Sequence, residues 1–398
     1  MYDVTIIGGG PAGASCAESL AKKGFSCLLL ERYGKKRYKT CAGGISFEAA
    51  QLKPVPPSIV ERKIVQCRVI SLSSQVKINM DDKVGYTVYR TAYDQFLRDE
   101  AEVKGACIHY HEQVKRVAPT KGAVKGTGEY TSKVIVGAFG MSSSLYRQFK
   151  ISTPKVIQLL QQEYRLPEEK VSKTIGDCIE IYFDSTYSPW GYSWIFPKKA
   201  GVSVGVMSLP HTGRKMERLT SFVQHRDSLK GVTPKRFNKK YTFGEIILQK
   251  PVEKTCGETF ILIGDAAGLC DPITYEGIAN AIKSGRIAAD VIEKHLEYGT
   301  SLSLYETRWK KEMYRDDIKY SQKLQNLMYG HPLSDKLVDA VVKMATEDQD
   351  IATGFKWFFT KEKPRKAMYN IIMGKKIELL KRVGLSSLRL IPRLIPWM

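Results

Sequence analysis

No two of the eight cysteines, at positions 16, 27, 41, 67, 107, 178, 256 and 270, are spaced Cys-x-x-Cys. That excludes the zinc-ribbon and thioredoxin-type readings. The six histidines, His109, His111, His211, His225, His295 and His331, show no ligand spacing, so no metal centre is expected. No uninterrupted apolar run is long enough to span a bilayer. No secretion signal precedes the first predicted strand, which starts at Tyr2, and the expectation is a cytoplasmic chain with reduced thiols. Internal repeats and low-complexity segments are absent. Acidic residues are scarce: 41 Asp and Glu face 62 Lys and Arg, a formal net charge of +21. Such a field attracts phosphates on nucleic acid, on lipid headgroups or on an acidic redox partner. No nucleic-acid module pattern accompanies it, so nucleic acid is not an expected partner. Plain solubility explains the charge equally well.

What is present is concentrated at the start. Tyr2-Asp3-Val4-Thr5-Ile6-Ile7 reads as an apolar strand and runs straight into Gly8-Gly9-Gly10-Pro11-Ala12-Gly13. A helix is predicted over Ala14–Lys23, and a second apolar run, Ser26–Leu30, ends in Glu31. This is a βαβ dinucleotide fingerprint with strand, helix and terminal acid in register. Gly8 permits the tight turn, Gly10 lets the backbone approach a pyrophosphate, and Gly13 lets helix and strand pack closely. The helix start offers N–H groups and a partial positive charge to phosphates, and Pro11 gives up nothing there. Glu31 stands where an acid accepts hydrogen bonds from ribose hydroxyls.

Further along, Pro54-Val55-Pro56-Pro57 breaks the chain. Residues 64–89 alternate apolar and polar in places and predict strands, while Arg90–Lys104 predicts a helix with Tyr93, Phe96, Leu97 and Ala101 on one side. Strands are expected at Cys107–Tyr110, Gln113–Val117 and Ser132–Ala138, and residues 158–210 are strand-rich. A buried strand, Phe260–Ile263, leads into Gly264-Asp265, and a helix follows over Ile278–Leu296. The expected organisation is a nucleotide-binding domain in three segments (1–57, 85–150, 251–297), a β-rich substrate domain in two (58–84, 151–250) and a helical basic region (298–398).

The strand into Gly264-Asp265-Ala266-Ala267-Gly268, then Pro272, Gly277 and a helix, matches the second flavin motif of glutathione-reductase-type folds. Asp265 can accept hydrogen bonds from ribityl hydroxyls, and the helix from Gly277 can aim its N-terminus at the flavin pyrimidine edge. A second G-x-G-x-x-G for a separate nicotinamide domain is absent. The fold class is therefore α/β: a glutathione-reductase-type, FAD-binding Rossmann fold with an inserted β-rich substrate domain and a helical C-terminal region. FAD is the expected cofactor, and the electron donor stays open.

Gly8–Gly13, Glu31, the Arg90-x-x-x-Asp94 helix start and Gly264-Asp265 resemble the p-hydroxybenzoate-hydroxylase-like FAD superfamily. Within it, Asp271-Pro272-Ile273-Thr274, Gly191-Tyr192-Ser193-Trp194-Ile195-Phe196-Pro197-Lys198 and the Cys41-Ala42-Gly43-Gly44 segment are similar to the geranylgeranyl reductase family. The resemblance implies cofactor contacts from Gly8, Gly10, Pro11, Ala12, Gly13, Glu31, Arg32, Cys41, Ala42, Arg90 and Val114 in the first half of the chain. It implies others from Gly140, Gly264, Asp265, Gly277 and Ile278. Tyr192, Trp194, Phe196, Tyr275 and Glu276 would border the substrate cavity, with Cys41, Tyr192 and Trp194 catalytic. Without the resemblance, Tyr192-x-Trp194-x-Phe196 reads as half-buried sheet, and Cys41 as a small buried hydrophobe. Two departures stand out. The superfamily commonly has Asp-Gly where this chain has Phe139-Gly140, and the reductases commonly carry consecutive glycines where Tyr275-Glu276-Gly277 stands.

The implied activity is FAD-dependent saturation of isoprenoid C=C bonds in a prenyl lipid, prenyl diphosphate or prenylated quinone. The alternatives are an FAD-dependent monooxygenase or halogenase of the same fold, and a membrane-docked electron-transfer flavoprotein. The halogenase-like Trp-x-Trp-x-Ile-Pro pattern is not matched at 192–197. From Lys361 to Met398, ten basic residues stand against two acidic ones, with Lys375, Arg382 and Arg389 seven apart. Ile372, Met373, Ile377, Leu380 and Val383 cluster on another side, and Leu388–Met398 is apolar, basic and Trp-bearing. This reads as an interfacial anchor on an anionic membrane, peripheral on the inner face of the cell membrane, or as a helical cap with a solvated basic face.

Overall fold

The computed structural model of the chain describes residues 1–141, 143–229, 235–236, 242–247, 250–329 and 332–384. The first strand, Tyr2–Ile7, buries all of Val4–Ile7. A strand apolar on both faces needs cover on both, which favours parallel pairing under helices. It pairs in parallel with Cys27–Glu31 on one side and Glu129–Gly137 on the other. Cys107–Tyr110 and Phe260–Leu262 extend these two flanks, again in parallel. Antiparallel Ala123–Lys125 and Arg116–Ala118 complete a seven-stranded mixed sheet.

Two helices cover this sheet beside the glycine turn. Pro11–Lys22 and Ile278–Tyr298 approach closely at Gly285, where a Cβ would lie 2.5 Å from Ala12 O and 3.1 Å from Cys16 N. The predicted helix over 90–104 is present as Arg90–Val103, with Tyr93, Leu97 and Ala101 buried.

The chain divides into two units. Met1–Lys39, Arg90–Lys155 and Ile246–Ile318 form the first; Thr40–Tyr89, Val156–Glu245 and Lys319–Met398 form the second. Two limits fall far from those expected, and the other three shift by five residues each. Residues 40–57 leave the nucleotide-binding segment because Gly44–Ile45 pairs with Gly85–Val88, which also pairs with Val60–Ile64 in a three-stranded sheet. Residues 298–318 join the first unit because Tyr305 and Trp309 are buried in its core, where Trp309 Nε1 donates to Thr255 Oγ1 at 3.0 Å.

The second unit is built on a larger sheet, in which Val156–Arg165, Gly201–Ser208, Ser193–Lys198 and Cys178–Tyr182 are successive antiparallel neighbours. Gln66–Ile70 then pairs in parallel with Cys178–Tyr182, and Gln75–Asn79 lies outside it. One face packs Ile195, Val202, Val204 and Val206 against Leu219 and Phe222 of the helix Lys215–Gln224. Alternation turns Trp194, Phe196 and Lys198 to the opposite face.

The described C-terminal helices attach to this unit through specific polar contacts. Asp339, on the helix Ser334–Glu347, accepts from Ser71 Oγ at 2.7 Å, Ser73 N at 2.8 Å and Ser73 Oγ at 2.6 Å. Of the expected basic row, Lys375 pairs with Asp348 and with Asp350 at 3.3 Å. Arg382 pairs with Glu347 and Glu378, both at 2.7 Å. Ile372, Leu380 and Val383 are buried, while Ile377 stays 67% exposed. In the described residues the basic helices thus behave as a cap packed on their own unit. Arg389 and Leu388–Met398 lie outside the described residues. No helix among the described residues is long and apolar enough to cross a membrane.

Asp339→Ala removes three hydrogen bonds to a carboxylate and should cost about 1–3 kcal/mol of stability. Urea unfolding of both proteins measures it, and an unchanged midpoint would show that these contacts do not hold the helix.

Candidate nucleotide-binding site

The glycine turn meets the steric demands the fingerprint implies. Gly8 has φ +107°, and a Cβ there would lie 2.4 Å from Ala138 O. A Cβ on Gly13 would lie 2.0 Å from Gly8 O, so helix and strand touch only because that side chain is missing. Gly10 differs: a Cβ there would meet only the Arg37 guanidinium, at 3.2 Å. The helix from Pro11 has no side-chain cap at Gly10 and no acid in its first turn. Its N–H groups and dipole face the turn with no acid of the helix's own first turn to compete for them. Ala12 is buried against the Ile278–Tyr298 helix.

Charged side chains hold this turn from beneath. Glu31, 1% exposed, accepts from Gly9 N at 3.0 Å and from Tyr33 N at 3.0 Å. Arg98 Nη1 donates to Gly9 O at 2.9 Å, and Nη2 donates to Lys35 O. Gly9 is itself constrained, because a Cβ would meet Arg98 Cδ at 2.9 Å and Glu31 Oε2 at 3.0 Å. Asp94 is fully buried and accepts from Arg90 Nε at 2.7 Å and Nη2 at 3.0 Å, and from Arg37 Nη2. Burial alone would raise the Asp94 carboxyl; Arg90 and Arg37 more than reverse that and hold it down at about 2. Arg32 is exposed, its guanidinium over the Tyr33 ring at 4.6 Å. Val114 is buried in the core of the first unit.

The second motif is equally regular. Gly264 has φ +59°, and a Cβ there would crowd the Ala12 Cβ at 2.8 Å. The long helix begins at Ile278 with Gly277 in the N-cap position, and a Cβ on Gly277 would meet Asp265 Oδ1 at 3.1 Å. Asp265 lies 3.8 Å from Lys39 Nζ. Glu276 Oε1 accepts from Ala279 N at 3.0 Å, so this carboxylate sits at the helix start. Tyr275 is buried with φ +53°. Gly140 has φ +61°, and the neighbouring Phe139 turns inward onto Tyr146 and Phe149, with centroids 5.2 and 5.7 Å apart. The position that is commonly acidic in the resembled superfamily here serves packing.

In the second unit, the half-buried Cys41 opens a tight turn in which Gly43 N donates to Cys41 Sγ at 3.4 Å. Lys198, 1% exposed, donates to Ala42 O and Val88 O, both at 2.7 Å. A Cβ on Gly44 would meet the Phe196 ring at 2.8 Å, so this turn lies on the Trp194–Phe196–Lys198 face of the sheet. Gly205 makes room for Trp194, whose Cζ2 would lie 2.1 Å from a Cβ. Trp194 Nε1 is buried and has no acceptor among the described residues. Tyr192 is half-buried, its ring 6.3 Å from Trp194 and 6.0 Å from Phe183.

A family model described as an FAD-binding domain matches residues 1–51. The digeranylgeranylglycerophospholipid reductase of Methanocaldococcus jannaschii is 29% identical over 380 residues, covering 88% of this chain and 92% of that protein. The geranylgeranyl diphosphate reductase of Synechocystis is 28% identical over 316 residues, covering 73% of this chain and 74% of that one. The chain thus carries an FAD-binding-domain match at its start and is related, at about 29% identity over most of its length, to the geranylgeranyl and digeranylgeranylglycerophospholipid reductases. A crystal structure of a geranylgeranyl bacteriochlorophyll reductase-like protein from Thermoplasma acidophilum matches with TM-score 0.78 and 24% identity over 96% of this chain and 98% of that one. The flavin-dependent brominase Bmp2 matches with TM-score 0.73 and 19% identity over 95% and 99%. At those identities the likeness establishes the α/β FAD-binding fold and nothing finer.

The first unit's residues fit the implied FAD. The open side of Gly10, the uncapped helix start and the Arg37 guanidinium form a cationic cradle suited to a pyrophosphate. Sequence reasoning missed Gly9, Arg37 and Arg98. One signal was available: Arg90, Asp94 and Arg98 recur every four residues on a helix side that is otherwise buried.

Two outcomes follow. Gly10→Val should fold, since its nearest neighbour is the end of a flexible arginine, yet purify without flavin absorbance; full flavin content would refute the cradle. Asp94, held below its unfolded value of 3.8, adds stability above about pH 4 that is lost as pH falls toward about 2. Asp94→Asn strands two guanidinium groups and should cost about 3–5 kcal/mol near neutrality. Urea titrations across pH check both: the difference between the proteins should shrink in acid, and a pH-independent difference would rule out the linkage.

Proposed function

We propose that the chain is an FAD-dependent reductase that saturates isoprenoid C=C bonds of a prenyl lipid, prenyl diphosphate or prenylated quinone. The observation that carries this reading is relatedness over most of the chain to reductases named for geranylgeranyl substrates, joined to an intact nucleotide cradle. Gly8, Gly10, Pro11, Ala12, Gly13, Glu31, Arg32, Arg90, Val114 and Gly140 would hold FAD together with Gly264, Asp265, Gly277 and Ile278. When bound and reduced, FAD would supply hydride chemistry at such a bond.

The chain's own residues do the rest. Cys41 supplies the proton to the second alkene carbon. Trp194, Phe196 and Tyr192 present an aromatic face that suits a hydrocarbon chain and keeps water from it. Tyr275 and Glu276 border the cavity beside the long helix. An isoprenoid offers almost no hydrogen-bonding groups, so recognition falls to apolar contact. The apolar, basic segment Leu388–Met398 provides access to an anionic membrane in this reading.

Expression in a host that makes unsaturated prenyl lipids and quinones, followed by mass spectrometry, tests the proposal. Two added hydrogens per reduced bond are expected, and they should vanish with Cys41→Ala. Unchanged lipids and quinones with substrate-dependent oxygen uptake would establish a monooxygenase instead. Reduction of a soluble electron acceptor with no organic product would establish an electron carrier.

A further inference from the structure

The Cys41 turn lies against a buried charge that no step above uses. Lys198 ends the strand Ser193–Lys198 and is almost wholly enclosed, although its side chain ends in an amine. Two of its three donors go to Ala42 O and Val88 O at 2.7 Å each. These carbonyls lie on either side of Gly43, whose own O accepts from Val88 N at 2.9 Å. A Cβ on Gly43, at φ +75°, would lie 2.7 Å from Lys198 Nζ. The ammonium is thus seated inside the turn that Cys41 opens. The ionisable groups near enough to act on it electrostatically are Glu163 from Val156–Arg165, Cys41 from the turn and Glu61 from Val60–Ile64, and the Tyr89 ring lies at 5.3 Å.

Glu163 is tied down as well. Its Oε1 accepts from Gln161 Nε2 at 2.8 Å, while Oε2 is buried with no hydrogen-bond partner among the described residues. Glu163 lies opposite Ser203, which in turn lies opposite Phe196, so it shares the sheet face that carries Lys198. Burial pushes the Lys198 amine down and the Glu163 carboxyl up, each partly offset by the other. A lysine that only filled space here would leave an expensive unpaired charge; a methionine would fill the same volume without it.

We propose that Lys198 is a positioning residue that holds the Cys41 turn by its two carbonyls and places a positive charge beside the Cys41 sulfur. The step it serves is proton donation. The Cys41 S–H bond breaks, the proton forms the new C–H bond on the alkene carbon that did not receive hydride, and the electron pair stays on sulfur. The resulting thiolate then lies next to the Lys198 ammonium and is reprotonated from water. Glu163 competes with the thiolate for that ammonium. This rests on the reading of Cys41 as proton donor, but its test does not require turnover.

The test is the rate at which iodoacetamide alkylates Cys41 in purified full-length protein, followed by peptide mass spectrometry across pH, with Cys41→Ser marking the peptide. Lys198→Gln keeps an N–H donor and drops the charge. It should slow alkylation several-fold near neutral pH, because the reactive sulfur loses the positive charge beside it. Lys198→Arg should restore the rate to within a few fold. Glu163→Gln is nearly isosteric and removes the competing carboxylate; at the acid end of the pH series, where the Lys198 amine stays protonated, it should speed alkylation. A turn that is merely clamped would alkylate faster, or at an unchanged rate, in Lys198→Gln at every pH, and that result overturns the proposal. So does a Glu163→Gln rate at or below that of the parent at the acid end. If alkylation behaves as expected while no prenyl lipid is reduced, the charge assignment stands and the reductase reading fails. Reduced lipid with unresponsive alkylation leaves the reductase reading and removes this one.

Discussion

The buried carboxylate of Asp94 is the constraint on which the nucleotide cradle depends. It fixes Arg90 and Arg37 together, and Arg37 is the cation that stands beside the open face of Gly10. Arg98, one helical turn further on, holds Gly9 O and so keeps the glycine turn in place from below. Arg90 and Arg37 pair with Asp94, Arg37 also lies 3.6 Å from Glu31, and Arg98 adds a third guanidinium on the turn's backbone, so three cations stand against two carboxylates. A buried ion pair is weak evidence for stability in itself. Here its better justification is geometric, because it pins the guanidinium nearest the turn that a dinucleotide must approach.

Much of this was legible in the residues because it is local. Strand, glycine turn, helix and acid follow one another within Tyr2–Glu31, and each leaves its own pattern. The second motif is local too, from Phe260 to the helix starting at Ile278. What could not be read depends on partners far apart in the chain. Nothing near Gly44 announces that it will pair with Thr87, yet that pairing moves residues 40–57 into the second unit. Nothing near Gly9 announces Arg98. The alternation Tyr192, Trp194, Phe196 was visible, but Lys198 continues it as the fourth residue of the same face, and a lysine at a strand end reads as solvated. Its burial appears only when the turn from Cys41 folds over it.

The tail shows the same limit from the other side. A sevenfold basic spacing suggested one cationic face. In the folded chain, Lys375 and Arg382 are matched by Asp348, Asp350, Glu347 and Glu378, acids drawn largely from an earlier helix and its cap. Exposed pairs of this kind contribute little energy each. They do neutralise the row, so charge spacing in the described helices no longer argues for a membrane, and that argument passes to the composition of Leu388–Met398 alone.

The two side chains that replace the expected glycines can be read together. Tyr275 keeps φ at +53°, in the left-handed region that a glycine would occupy without strain. Holding a tyrosine there costs about 1–2 kcal/mol, which burial of its ring offsets. Glu276, next in line, uses its carboxylate to cap Ala279 N. A cap of this kind contributes about 1 kcal/mol to the helix it starts. The backbone therefore follows the path that glycines would take, and Gly277 still closes on Asp265 without a Cβ. What the substitutions change is the space and the charge beside the helix start. A carboxylate already stands at the positive end of the helix dipole, so less of that field is left to stabilise negative charge on a ligand placed there. Cradle and cavity are thus separable: the Tyr275–Glu276 pair can adjust what binds beside the long helix while the glycine turn and its arginines stay as they are.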